Sequence, residues 1–139
     1  MPEGRVKMAS LFLILFLLAC GRDAAEDTAT EFVNWYYVQI DQKQALPLTV
    51  GLATQKLQRE LVTLQGVGAE QRRQGKKDLT VRYTLDKSRE EEDRRYFFFT
   101  LKVELPQGRS IEKKLLITTI QREGKWRVSN YDEYDVPLQ

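Results

Sequence analysis

The side chains in this sequence whose types and spacing suit chemistry are tyrosines and carboxylates. Histidine is absent, which removes the group whose ordinary pKa lies nearest neutrality and which most often serves as general acid or base. A proton-transfer site would be assembled from Tyr36, Tyr37, Tyr83 and Tyr96 with an acid such as Asp132 or Asp135. A carboxylate buried beside phenols has its pKa raised towards the range of a working base. The competing role is structural: tyrosines on core-facing stripes bury the ring and hydrogen-bond the hydroxyl, and acids near a C-terminus are solvated. The structural role carries more weight, so no catalytic residue is assigned. An enzyme using a tyrosine and carboxylate pair stands as the alternative.

Two charge clusters invite ligands less strongly. Residues 89–95 read Arg-Glu-Glu-Glu-Asp-Arg-Arg, and four adjacent carboxylates offer the oxygens a hard cation wants. The run lacks the glycine turn and alternating spacing of a calcium loop, and its three arginines repel a cation, so it reads as a solvated hairpin loop with no metal. Arg72, Arg73, Lys76 and Lys77 form a basic loop that would rest on anionic lipid headgroups if held near a membrane; a solvated loop is the default. The net charge of +2 implies neither nucleic acid nor a strongly acidic partner. No cofactor is expected.

Cys20 is the one cysteine, so an internal disulfide and a thiolate metal cluster are both excluded. It follows basic Arg5 and Lys7 and an unbroken apolar run at residues 11–18, the layout of a signal peptide. Residues 8–20 would make a helix of about 20 Å, short of the roughly 30 Å of hydrocarbon a spanning helix crosses. The string Leu17-Leu18-Ala19-Cys20 resembles the lipobox of bacterial lipoproteins. That resemblance implies cleavage after residue 19, a diacylglyceryl group on Cys20, and a membrane-anchored protein of the cell envelope facing the periplasm or exterior. With Gly21 after the cysteine, it further implies the outer membrane. Two or three acyl chains, at about 0.8 kcal/mol per buried methylene, anchor firmly.

Several elements must position these side chains. Residues 21–27 are small and charged, which predicts a short tether spanning 20–27 and a folded domain from 28 to 139. Thr28 and Glu31 match a capping box, opening a helix whose stripe carries Phe32, Val33, Tyr36, Tyr37 and Ile40. Trp35 and Val38 fall off that stripe. A second helix is expected from Pro47, with Gly51 weakening it. A third carries Ala53, Leu57, Leu61 and Leu64 and stops at Gly66 and Gly68. Beyond residue 78 the period changes to alternation: residues 79–85, 97–105, 111–120 and 125–131 predict four meandering strands. Pro106 and Gly108 suit a type I turn, and Gly124 a second tight turn.

Helices followed by antiparallel strands predict an α+β domain, N-terminal helices packed in a curved four-stranded antiparallel sheet. The aromatic helix at residues 32–40, LATQKLQREL at 52–61 and EGKWRVSNYDEYD at 123–135 resemble the cystatin-like, nuclear transport factor 2-like superfamily of cone domains, particularly its small lipoprotein members. The resemblance implies a pocket between helices and sheet, and dimerisation through the outer face of the sheet. Tyr36, Tyr37, Phe97, Phe99 and Trp126 fall on the inner faces, where they would form either a packed core or the wall of an apolar hollow. Trp35 and Phe98 are the candidates for a contact surface. The expected function is a non-enzymatic envelope lipoprotein binding a small apolar ligand or another envelope protein; a structural component of an envelope assembly is a further alternative.

Overall fold

A computed structural model describes residues 23–74 and 77–134. Cys20, the leader, Gly21, Asp135 and the side chains of Arg72, Arg73 and Lys76 lie outside the described residues.

Helix α1 spans Ala24–Val33, five residues ahead of the capping box expected at Thr28. Asp23 is its cap: one carboxylate oxygen accepts from the Ala25 amide at 3.0 Å and from the Glu26 amide at 3.4 Å. The other oxygen is held by the Arg95 guanidinium. Thr28 sits inside the helix, its hydroxyl donating back to the Ala24 carbonyl at 3.0 Å. Residues 24–27 are therefore the first turn of the domain and not a tether. The reason is Ala25, which is fully buried together with Ala29; the small side chains let α1 lie close against the sheet.

The helix does not run on to Ile40 as a regular stripe. At Asn34–Val38 it widens into a π-helical turn, closed by the Gln39 amide donating to the Asn34 carbonyl at 2.8 Å. Ile40 then takes a left-handed backbone (φ 55), a conformation strained for a β-branched residue. The Asp41 amide reaches back to the Trp35 carbonyl at 2.8 Å. Asp41 caps the next helix, accepting from the Gln44 amide at 3.1 Å, so α2 is Gln42–Ala45 and Pro47 lies in the 3-10 turn Leu46–Leu48 that continues it. The second helix thus begins before Pro47, because Asp41 supplies a cap and proline fits the tighter turn.

Helix α3, Gly51–Thr63, buries Ala53 and Leu57. Gly51 is its first residue, with a left-handed φ of 57, and opens α3 instead of weakening a preceding helix. A short α4, Ala69–Gln74, occupies part of the stretch expected to be a basic loop.

Four strands follow: β1 (Thr80–Glu91), β2 (Arg94–Glu104), β3 (Ser110–Arg122) and β4 (Lys125–Tyr134), in the order β1-β2-β3-β4. All neighbours are antiparallel, the meander anticipated from the alternation. The charged run 89–95 is not a loop: Glu90 pairs with Arg95 and Glu91 with Arg94 in the ladder, leaving Glu92 and Asp93 as the turn. At the next hairpin Gln107 has φ 70, which a type I turn does not provide. Glu123 and Gly124 are both left-handed (φ 51 and 76), as a two-residue hairpin matched to strand twist requires.

The helices cover one face of this sheet. The core joins Phe32 and Val33 of α1, Leu57 of α3, Phe97, Phe99 and Leu101 of β2, Leu115 and Ile117 of β3, and Val128 and Tyr131 of β4. The free edge of β4 is partly occupied by residues 49–50: Thr49 bridges to Val128 in parallel, and the Val50 amide donates to the Val128 carbonyl at 2.9 Å. That contact satisfies backbone groups an edge strand would otherwise leave open.

Candidate functional site

The helical layer and the sheet part at one end of the domain, leaving a hollow of about 240 Å³. Its walls are Tyr36, Tyr37, Ile40 and Gln42 on the helical side and Leu79, Val81, Leu101 and Val103 on the sheet side, with Lys113 and Glu133 at the rim. The local backbone explains how the helical wall arises. A π-helical turn rotates the following residues relative to an α-helix, and such turns recur at functional sites. The left-handed Ile40 reverses the chain so that Ile40 and Gln42 return to the same hollow as Tyr36 and Tyr37.

The rim is charged and the interior mainly apolar. Lys113 and Glu133 face each other across β3 and β4 with nitrogen and oxygen 3.3 Å apart, each side chain about half exposed. Inside, Gln42 is 7% exposed, and its Oε1 has no hydrogen-bond partner among the described residues. A buried acceptor without a partner carries a desolvation penalty.

Behind the helical wall lies a second polar group. Glu60 of α3 accepts hydrogen bonds from the Tyr36 hydroxyl at 2.7 and 2.8 Å and from the Tyr131 hydroxyl at 2.9 Å. The rings pack together as well: Tyr36 stacks on Phe32 at 5.4 Å between centroids and meets Tyr37 edge-on at 4.6 Å. Lys56 closes the cluster, its ammonium 4.2 Å above the Tyr131 ring and 3.2 Å from Asn130 Oδ1. Burial, then the bond to Glu60, pushes the Tyr36 hydroxyl well above the ordinary phenol range. Burial, then the nearby Glu133 charge, does the same to Tyr37, and burial with Glu60 to Tyr131. These phenols hold their protons, and those of Tyr36 and Tyr131 donate to Glu60.

The residues expected from sequence are thereby sorted. Tyr36 and Tyr37 line the hollow. Phe97 and Phe99 do not: both are fully buried in the packed core. Trp126 is half-buried on the same sheet face but near the β3–β4 turn, its ring 5.3 Å from the Arg95 guanidinium, away from the hollow. Trp35 packs against the core from the helical side, whereas Phe98 lies on the outer sheet face beneath the Lys87 ammonium, 4.7 Å away. They share no surface, because the sheet separates them. Among the tyrosines considered for proton transfer, Tyr83 packs edge-on against Phe99 and Tyr96 lies on the outer face beside Arg89. Asp132 is exposed and paired with Lys56 at 3.4 Å.

Glu60, the acid that does meet tyrosines, was passed over in the sequence. A signal was available: stepping about 100° per residue along α3 places Glu60 about 20° from Ala53, at the border of the arc of Ala53, Leu64 and Leu57. A carboxylate within an apolar stripe needs partners.

No protein-family model matches the sequence, and no curated protein is similar enough in sequence to match it. Solved structures do resemble the fold. A designed nuclear transport factor 2-like protein is 14% identical over 81% of this chain and 97% of its own, with a TM-score of 0.51. A SEC-C motif containing protein from Rhodopseudomonas palustris is 16% identical over 86% of this chain and 87% of its own, with a TM-score of 0.52. The described domain has the nuclear transport factor 2-like α+β fold; at such identities the likeness speaks for the fold alone.

Proposed function

We propose that this nuclear transport factor 2-like domain is the binding module of a lipid-anchored envelope protein, taking a small, mainly apolar ligand into the hollow between its helices and sheet. The observation that carries the reading is the hollow itself. Apolar walls with a few polar groups at defined places are the make-up of small-molecule sites. The raised phenols of Tyr36 and Tyr37 favour binding over proton transfer, since a tyrosine base or nucleophile must lose its proton easily.

The anchor is Cys20, read from the lipobox, and the fold bears on how it would work. Asp23 caps α1 and is pinned by Arg95, three residues after the cysteine. Three extended residues reach about 10 Å, so the domain would sit close to the bilayer with the Arg95 end of β2 nearest. The hollow, at the Leu101 to Val103 end, would then face the aqueous side.

Native mass spectrometry of the full chain extracted from envelope membranes tests the binding reading. A small molecule retained by the wild type and lost on Leu101→Trp, which fills the hollow, supports it; a wild type that retains nothing counts against it. For the anchor, Cys20→Ser should abolish acyl labelling and release the protein from the membrane fraction. Persistent labelling would refute the lipid assignment.

A further inference from the structure

We propose that the outer face of the sheet, at the end beside Asp23, is a docking surface for anionic phospholipid headgroups that holds the anchored domain down on its bilayer. The inference rests on the lipid anchor at Cys20 and is independent of the hollow.

The β1–β2 and β3–β4 turns both lie at the end of the sheet where Arg95 holds Asp23. The ladder places Lys87, Arg89, Arg94, Arg122, Lys125 and Arg127 on the outer face there, against one carboxylate, Glu91, which pairs with Arg89 at 3.3 Å. The turns add Glu92, Asp93 and Glu123, and the end still carries a positive excess. Towards the opposite end of the same face the balance reverses, where Asp86, Glu104, Glu112 and Asp132 outnumber Arg82, Lys102 and Lys114.

One cross-strand pair speaks most directly for an external anion. In the first hairpin unlike charges oppose each other, Glu90 facing Arg95 and Glu91 facing Arg94. In the second, Arg122 stands directly opposite Lys125, an arrangement that destabilises a sheet. Neither side chain has an ion pair among the described residues. Negative headgroups would supply the counter-charge that the fold leaves out. The next row, Arg94, Ile120 and Arg127, repeats the pattern with an apolar residue between two cations. Lys87 and Arg89 lie over the rings of Phe98 and Tyr96 at 4.7 and 4.9 Å, which keeps their charges on this face. Those half-buried rings, with Leu116 and Ile120 beside them, form a bed suited to the headgroup level. The anchor reaches the same place: Arg94 and Tyr96 flank Arg95, so Asp23 starts one sheet thickness away, within the roughly 10 Å that three extended residues span.

The test reconstitutes the lipidated protein, purified from envelope membranes, into vesicles of phosphatidylcholine alone and of phosphatidylcholine with phosphatidylglycerol. Flotation recovers the anchored protein, acetic anhydride acetylates its accessible lysines, and mass spectrometry compares Lys125 with Lys102 at the opposite end of the same face. Relative to Lys102, Lys125 should react at least about fivefold more slowly on the anionic vesicles than on the neutral ones. The difference should vanish at about 1 M salt, where charges are screened within about 3 Å. Arg122→Glu sets a carboxylate opposite Lys125, so this variant should melt no lower than the wild type and yet lose the protection of Lys125. Arg127→Gln, which leaves that pair as it is, should lose part of it. Protein that floats with both vesicles but shows equal Lys125 reactivity on them, or protection that survives Arg122→Glu, overturns the docking surface and leaves the anchor standing. Protein that floats with neither removes the anchor and the docking surface together.

Discussion

Tyr131, near the end of β4, donates its hydroxyl to Glu60 of α3 at 2.9 Å, and that same carboxylate oxygen receives the Tyr36 hydroxyl at 2.7 Å. One side chain thus ties the third helix to the first helical segment and to an outer strand of the sheet. Glu60→Ala would strand both phenols, at a cost of about 2–4 kcal/mol, since bonds to charged groups are each worth about 1.5–3 kcal/mol. Glu60→Gln retains an acceptor and should cost markedly less. Urea unfolding of the two variants decides it; equal losses would mean that helix packing, not the hydrogen bonds, governs the site.

The same cluster predicts an alkaline transition. Tyr36, Tyr37 and Tyr131 are all raised above the ordinary phenol value of 10.0, chiefly by burial. The unfolded chain therefore loses these protons first, and above that pH it binds fewer protons than the native state. Stability is full below about pH 10 and declines as pH rises beyond it. Tyrosinate absorbance should show three phenols ionising together with the loss of circular dichroism. Six phenols titrating smoothly in a folded protein would contradict the burial assigned to them.

The cap at Asp23 gives opposite expectations for two residues five positions apart, one the cap of α1 and the other within it. Asp23→Ala removes a side-chain cap, worth about 0.5–2 kcal/mol, and also takes one of two carboxylate partners, the other being Glu90 at 3.4 Å, from a half-buried Arg95 whose Nε already lacks one. A total loss of about 2 kcal/mol is expected. Thr28→Ala should change stability by less than about 0.5 kcal/mol, as at an ordinary surface site. Thermal melts of both variants distinguish the caps, and the reverse ranking would return the helix start to Thr28.

Ile40 offers a substitution that should be unusually mild. A left-handed L-residue costs about 1–2 kcal/mol, a penalty Ile40→Gly removes while forfeiting a half-buried side chain and adding chain entropy in the unfolded state. These terms nearly cancel, so Ile40→Gly should lie within about 1 kcal/mol of wild type. Phe99→Ala, in the packed core, should cost about 3–5 kcal/mol. Chemical denaturation of the two provides the comparison; a severe loss at Ile40 would show that its side chain, not its backbone, matters there.

Much of the architecture follows from local pattern. The alternation at residues 79–85, 97–105, 111–120 and 125–131 marks every strand, because a strand's side chains alternate whatever it packs against. The inner residues Phe97, Phe99, Leu115 and Ile117 are legible for the same reason, as is the stripe of α3. Tyr36 and Tyr37 are identified as inward-facing from spacing alone. Tertiary structure decided what spacing cannot express. Whether an inner aromatic becomes core or cavity wall depends on where helix and sheet separate, so Phe97 and Phe99 are packed while Tyr36 and Tyr37 border a hollow. The start of α1 at Asp23 depends on Arg95, 72 residues away, and the place of Glu60 depends on two tyrosines from other elements. The turn at Ile40 is left-handed although its residue type opposes it, because the surrounding contacts outweigh the local penalty. Sequence periodicity set which face each residue takes, and the long-range pairing of unlike elements set which of those residues form a site.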